Sequence, residues 1–96
     1  MALLFEWDSA KAAENLSKHR VEFREASTAF QDDRSGAFPD ETHSISERRY
    51  LILGRSRPGR ILVVSYTEIS EDVIRLISTR TATRRERRFY EEGESS

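Results

Sequence analysis

Apolar positions in this chain recur first at helical spacing and then at strand spacing. The stretch 9-SAKAAENLSKH-19 is rich in helix formers and sets Ala10, Ala13 and Leu16 on one side, with Asp8 placed to cap it. A second helix is predicted over 23-FREASTAF-30, where Phe23, Ala26 and Phe30 share a face. Before these helices 3-LLFEW-7 reads as a short strand, and after them 31-QDDRSGAF-38 turns into a strand that stops before Pro39.

The polar loop 39–47 holds His43. Strand-like runs follow at 48-RRYLILGRS-56, 61-ILVVSYT-67 and 73-VIRLIST-79. Pro58 and Gly59 fall at the two central positions of a type II turn over 57-RPGR-60, which makes the first two runs a hairpin. The segment 68-EISED-72 connects the second and third. Thr83 and Glu86 form a capping box at the start of a last helix, and Gly93 is placed to end it. The pattern predicts an α+β domain over residues 1–92: two N-terminal helices, about four antiparallel strands and a C-terminal helix, with the helices against one sheet face. Residues 93–96 read as a loose tail.

Charge sharpens this picture. The net charge is −1, yet residues 1–46 hold five basic against nine acidic side chains, and residues 47–90 hold eleven basic, all arginine, against five acidic. Arginine pairs bidentately with phosphate or carboxylate, so the second half favours an anionic partner. Arg87 and Arg88 can pair with Glu91 and Glu92 one turn on, an ordinary solvated face. Arg84 and Arg85 stand in the first helical turn, where the dipole disfavours cations, and an anionic ligand would account for them. Cysteine is absent and the two histidines are far apart, so no metal-ligand spacing is present and no cofactor is expected. No phosphate-binding glycine loop is visible. A reducing, cytoplasmic location and no membrane segment are expected.

Taken in order, 5-FEWDSAKAAENLSKH-19, 22-EFREASTAF-30, the loop residues Asp40, His43, Ser44, Glu47 and Arg49, the hairpin residues Gly54, Ser56, Gly59 and Arg60, then Tyr66, Thr67 and Glu68, and finally 75-RLISTRTATRRERRFYEE-92 resemble the BrnT family of type II toxins. The resemblance implies a RelE-like fold and a small ribonuclease that cuts RNA and halts translation. It implies neutralisation by a BrnA-like antitoxin that carries the DNA-binding domain, so that operator DNA is reached only through the antitoxin; a homodimer is left open. Arg20 and Glu22 stand where the family usually has a helix-ending glycine and a serine cap, and Ile69 and Thr81 stand in place of basic residues.

Metal-free RNA cleavage needs a base, an acid and cations for the developing phosphoryl charge. Arg60 and Arg80 are the expected phosphate clamps, supported by Arg75, Arg84 and Arg85 as RNA contacts. Glu68, Tyr66 and His43 are the candidates for proton transfer. Arg60, Arg80 and Arg84 are expected to meet over one patch of sheet. A second reading is a catalytically weak module that serves as antitoxin partner or co-repressor, motivated by the lost cations at Ile69 and Thr81.

Overall fold

A computed structural model describes residues 3–43 and 47–95. Its elements, in chain order, are β1 (Leu4–Glu6), α1 (Ser9–His19), α2 (Phe23–Thr28), a 3-10 turn (Ala29–Gln31), β2 (Gly36–Pro39), a second 3-10 turn (Glu41–His43), β3 (Tyr50–Arg55), β4 (Ile61–Ser70), β5 (Val73–Thr81) and α3 (Arg84–Ser95). The strands form one five-stranded sheet in the order β1-β5-β4-β3-β2. It is mixed, because β1 pairs parallel to β5 while every other pair is antiparallel. The expected antiparallel sheet of about four strands is therefore a mixed sheet of five, with β1 at its edge paired parallel to β5.

Local signals set several boundaries. Asp8 Oδ1 accepts from the N–H groups of Ala10 and Lys11 at 2.8 and 3.2 Å and starts α1 at Ser9. Arg20 ends it in the left-handed region, at φ 59°, a conformation that suits glycine better. The buried stripe of α1 is not Ala10, Ala13 and Leu16, which are exposed, but Ala12 and Asn15. Asn15 is tolerated inside because its amide bridges two elements: Nδ2 donates to the carbonyls of Val21 and Thr79, and Oδ1 accepts from Thr79 N–H.

The hairpin between β3 and β4 turns one residue earlier than the Pro-Gly pattern predicts. Ser56 O accepts from Gly59 N–H at 2.9 Å, and Ser56 N–H donates to Arg60 O at 2.7 Å. Gly59 at φ 110° then closes a three-residue loop, a geometry that needs a residue free to adopt positive φ. Helix α3 begins with the expected box, in which Thr83 N–H donates to Glu86 and Glu86 N–H donates to Thr83 Oγ1. It then continues through Gly93 to Ser95 rather than stopping there.

The helices do not share a sheet face. Ile52, Leu62, Val64, Tyr66 and Leu76 pack with Val21, Phe23 and Ala26 on one side. Leu53, Ile61 and Val63 pack with Tyr90 on the other. Side chains alternate along a strand, so α1 and α2 cover one face and α3 covers part of the opposite one. The physical reason lies in 61-ILVVSYT-67, which is apolar at both parities and buried throughout, as befits a strand with partners on both sides.

Candidate functional site

Strand register decides which candidate side chains can act together. Arg80 is the Cα partner of Val63, Ser78 of Ser65, and Arg75 of Thr67. Partners in a ladder point to the same side, so Arg75, Ser78 and Arg80 of β5 share the α3 face with Val63, Ser65 and Thr67 of β4. Part of this face lies beyond α3 and is made of short hydroxyl side chains between two arginines. Arg84 and Arg85, both exposed, rise from the first turn of α3 on the same side. Arg75 and Arg80 thus share one face, and Arg84 and Arg85 stand exposed on the helix that packs on it.

Arg60 is not among them. It precedes β4 on the other side, where Nε and Nη2 reach the two oxygens of Glu25 in α2 at 3.0 and 2.5 Å, and Nη2 also donates to Arg20 O. Glu25 accepts in addition from Ser56 Oγ at 2.7 Å. The Arg60 hydrogen bonds hold the Glu25 carboxyl below the usual carboxylate range, against the opposing effect of burial. Thr28 Oγ1 accepts from Arg57 N–H at 2.8 Å beside it. The hairpin is therefore clamped to α2, and Arg60 is the centre of the clamp. The expected meeting of Arg60, Arg80 and Arg84 over one patch does not occur, because Arg60, just before β4, is drawn to Glu25 of α2 at the strand ends while Arg80 pairs with Glu86 of α3.

Tyr66 and Glu68 are also on the α2 side of the sheet. Tyr66 is buried against Phe30, edge to face at 5.0 Å, and stacked on Tyr50 at 5.6 Å. Burial first, then the nearby Glu68 charge, pushes its hydroxyl above the usual tyrosine value. Glu68 is exposed near the β4–β5 turn, opposite Ile74. Neither group reaches the face that carries Arg80. His43 closes the second 3-10 turn, and its side chain lies outside the described residues, as does Ser44.

At the end of β5, Arg80 does converge on the start of α3, but the anion it meets belongs to the chain. Nη1 and Nη2 donate to Glu86 Oε1 and Oε2 at 2.7 and 3.0 Å. The Arg80 hydrogen bonds, together with the Thr83 N–H bond, lower the Glu86 carboxyl to about 2 despite partial burial. Glu86 accordingly stays ionised at all physiological pH, and Arg80 is held charged by it. Arg75 is closed in the same way by Glu6 of β1, with Nη2 and Nε at 2.6 and 2.8 Å from Oε2.

Two grooves flank α3, and sequence reasoning identified neither. The first, of about 550 Å³, lies at the strand ends and is polar, with Arg55, Arg60, Thr81, Arg87 and Glu91 in its walls. The second, of about 560 Å³, is walled by Phe38, Leu51, Leu53, Val63 and Phe89, with Arg85 and Glu86 at its edge. Phe89 neighbours the buried Tyr90 in sequence, yet it is 70 % exposed. The inward stripe of α3 is Glu86 and Tyr90, four residues apart, and Phe89 lies a step around the helix from it. The spacing of Glu86 and Tyr90 was the available signal.

The family described as "ribonuclease toxin, BrnT, of type II toxin-antitoxin system" matches residues 7–86. The chain belongs to this BrnT family. Among solved structures, it is similar to the 1.1 Å crystal structure of the Brucella abortus ribonuclease toxin BrnT, with a TM-score of 0.64 and 21 % sequence identity over 88 % of this chain and 99 % of that one. That likeness concerns the fold. No curated protein matches the sequence.

Proposed function

We propose that this chain is the toxin of a type II pair and an endoribonuclease that needs no metal, with RNA lying on the α3 face of the sheet between Arg75 and Arg80. The family match over residues 7–86 supports the reaction class. The observation that carries the location is the register that sets Arg75, Ser78 and Arg80 on one face, with Arg84 and Arg85 at its rim. Guanidinium groups so disposed can neutralise the charge that builds on phosphoryl oxygens as the 2′-oxygen attacks phosphorus and the bond to the 5′-oxygen breaks. The products are a 2′,3′-cyclic phosphate and a 5′-hydroxyl. Glu68 and Tyr66, on the opposite face, cannot exchange protons there. Of the three proton-transfer candidates this leaves His43, which follows β2. Cleavage of cellular RNA would stop translation in the cytoplasm, and a BrnA-like antitoxin would restrain the enzyme and carry the pair to its operator DNA.

A second reading draws on one specific feature: Arg60, Arg75 and Arg80 are each engaged by a glutamate of the same chain. A phosphate must displace Glu86 or Glu6 to be clamped. A member in which that exchange is unfavourable would be a weak nuclease and act chiefly as antitoxin partner. Incubating the purified chain with RNA in EDTA separates the two. Fragments ending in cyclic phosphate support the enzyme, and intact RNA supports the binding module.

A further inference from the structure

The apolar groove beside α3 has no role in the chemistry above. Its walls are Phe38 of β2, Leu51 and Leu53 of β3, Val63 of β4 and Phe89 of α3, and its volume of about 560 Å³ is that of a ligand pocket rather than a packing defect. Two phenyl rings stand open at it, Phe38 at 44 % and Phe89 at 70 % exposure. Neither ring has a polar tip that would favour leaving it in water, and adjacent exposed aromatics of this kind mark interaction surfaces.

We infer that this groove is the seat of the antitoxin, which inserts apolar side chains of an amphipathic segment between Phe38 and Phe89 and sets acidic residues against Arg84, Arg85 and Arg88. The inference rests on the toxin reading above and deepens it by placing the partner. Charge selects the occupant. Arg85 stands in the groove wall, and Arg84 and Arg88 are exposed on the same helix, so a partner with an apolar ridge and an acidic flank is complementary to this surface.

The lining also weighs against a nucleobase. Among the described residues the polar ones in its wall are Arg85 and Glu86, and the Glu86 carboxylate already accepts from Arg80 and from Thr83 N–H. A base sunk into these walls would leave its donors and acceptors without partners, an unfavourable burial that aliphatic side chains avoid. Position adds a consequence. Glu86 is both a wall of the groove and the clamp on Arg80, so an occupant sits directly beside the proposed RNA face and covers its approach. Docking and inhibition become one event.

The test uses Phe89→Asp in the full chain, with Leu16→Asp on the α1/α2 side as a control at another exposed apolar position. Binding to the purified cognate antitoxin is measured by calorimetry, and RNA cleavage by the free chain is measured in parallel. Phe89→Asp is expected to weaken antitoxin binding by at least 100-fold and to leave cleavage by the free chain within about 2-fold of wild type, as expected for loss of an interface anchor. Leu16→Asp is expected to change neither. Unchanged antitoxin binding by Phe89→Asp overturns the inference, and so does a loss of cleavage with binding intact, which would assign the groove to RNA. A dimer that Phe89→Asp splits, with antitoxin binding intact, overturns it in favour of a second copy. Should the wild-type chain leave RNA uncut, the activity reading fails, and the binding arm still decides the groove.

Discussion

Arg80 and Glu86 form a two-pronged pair, at 2.7 and 3.0 Å, that joins the last strand to the first turn of the last helix. The carboxylate caps α3 through Thr83 N–H and at the same time satisfies Arg80, the place proposed above for a phosphate. One residue thus stabilises the fold and, in the proposed site, would compete with the phosphate.

The pair has a pH signature. The Glu86 carboxyl titrates at about 2 in the folded chain, against 4.5 for an unperturbed glutamate. Its contribution to stability is therefore present above pH 4.5 and is lost as pH falls towards 2. Glu86→Gln is expected to destabilise the chain by about 1–2 kcal/mol at pH 7, after allowing for partial solvent screening, and by much less at pH 3. Urea melts of both proteins at the two pH values measure this, and an equal loss at both would contradict the assignment.

Arg60 is expected to matter for stability more than for chemistry. Its bonds to Glu25 and Arg20 O fasten the β3–β4 hairpin to α2, and removing them strands a half-buried carboxylate. Arg60→Ala should lower unfolding free energy by about 1–3 kcal/mol, and Arg60→Ala with Glu25→Gln should recover part of that loss. Additive losses in a double-mutant cycle would show that the two side chains are uncoupled.

Arg20 stores local strain at φ 59°. Arg20→Gly is expected to raise stability by about 0.5–1 kcal/mol, because only its carbonyl, which the substitution keeps, is used by Arg60. A thermal melt that moves down rather than up would show that the arginine side chain itself stabilises the cap.

Gly54 has the opposite requirement. A Cβ there would lie 2.9 Å from Ala29 O and 3.0 Å from Ser35 Cβ, so Gly54→Ala should destabilise by about 1–3 kcal/mol. Unfolding curves identical to those of wild type would mean that the 3-10 turn yields at no cost.

The elements were largely legible because their signals are local. Asp8 and the Thr83–Glu86 pair mark helix starts through hydrogen bonds that span two or three residues, and α1 begins and ends where its sequence pattern does. The membership of the site was not legible. Arg60 and Arg80 are equally good candidates as residues, and only the pairing of Val63 with Arg80 shows that one faces α3 and the other α2. The first strand was readable from 3-LLFEW-7, but its parallel pairing with β5 was hidden because that partner lies some 70 residues away in sequence. The buried stripe of α1 was obscured by a polar residue, Asn15, whose amide is satisfied only once Val21 and Thr79 are in place. Yet the unbroken apolar run in β4 did carry a readable message, that both of its faces are covered.

The placement of the RNA on the Arg75–Arg80 face is tested most directly by comparing RNA cleavage, in EDTA, of wild type, Arg60→Ala and the folded double variant Arg80→Ala, Glu86→Gln. The double variant removes the guanidinium without leaving Glu86 charged and alone. It is expected to cut at least 100-fold more slowly than wild type, while Arg60→Ala, assayed below its melting temperature, stays within about 10-fold. Cleavage at the wild-type rate by the double variant, or its selective loss in Arg60→Ala, would contradict a site built on the α3 face.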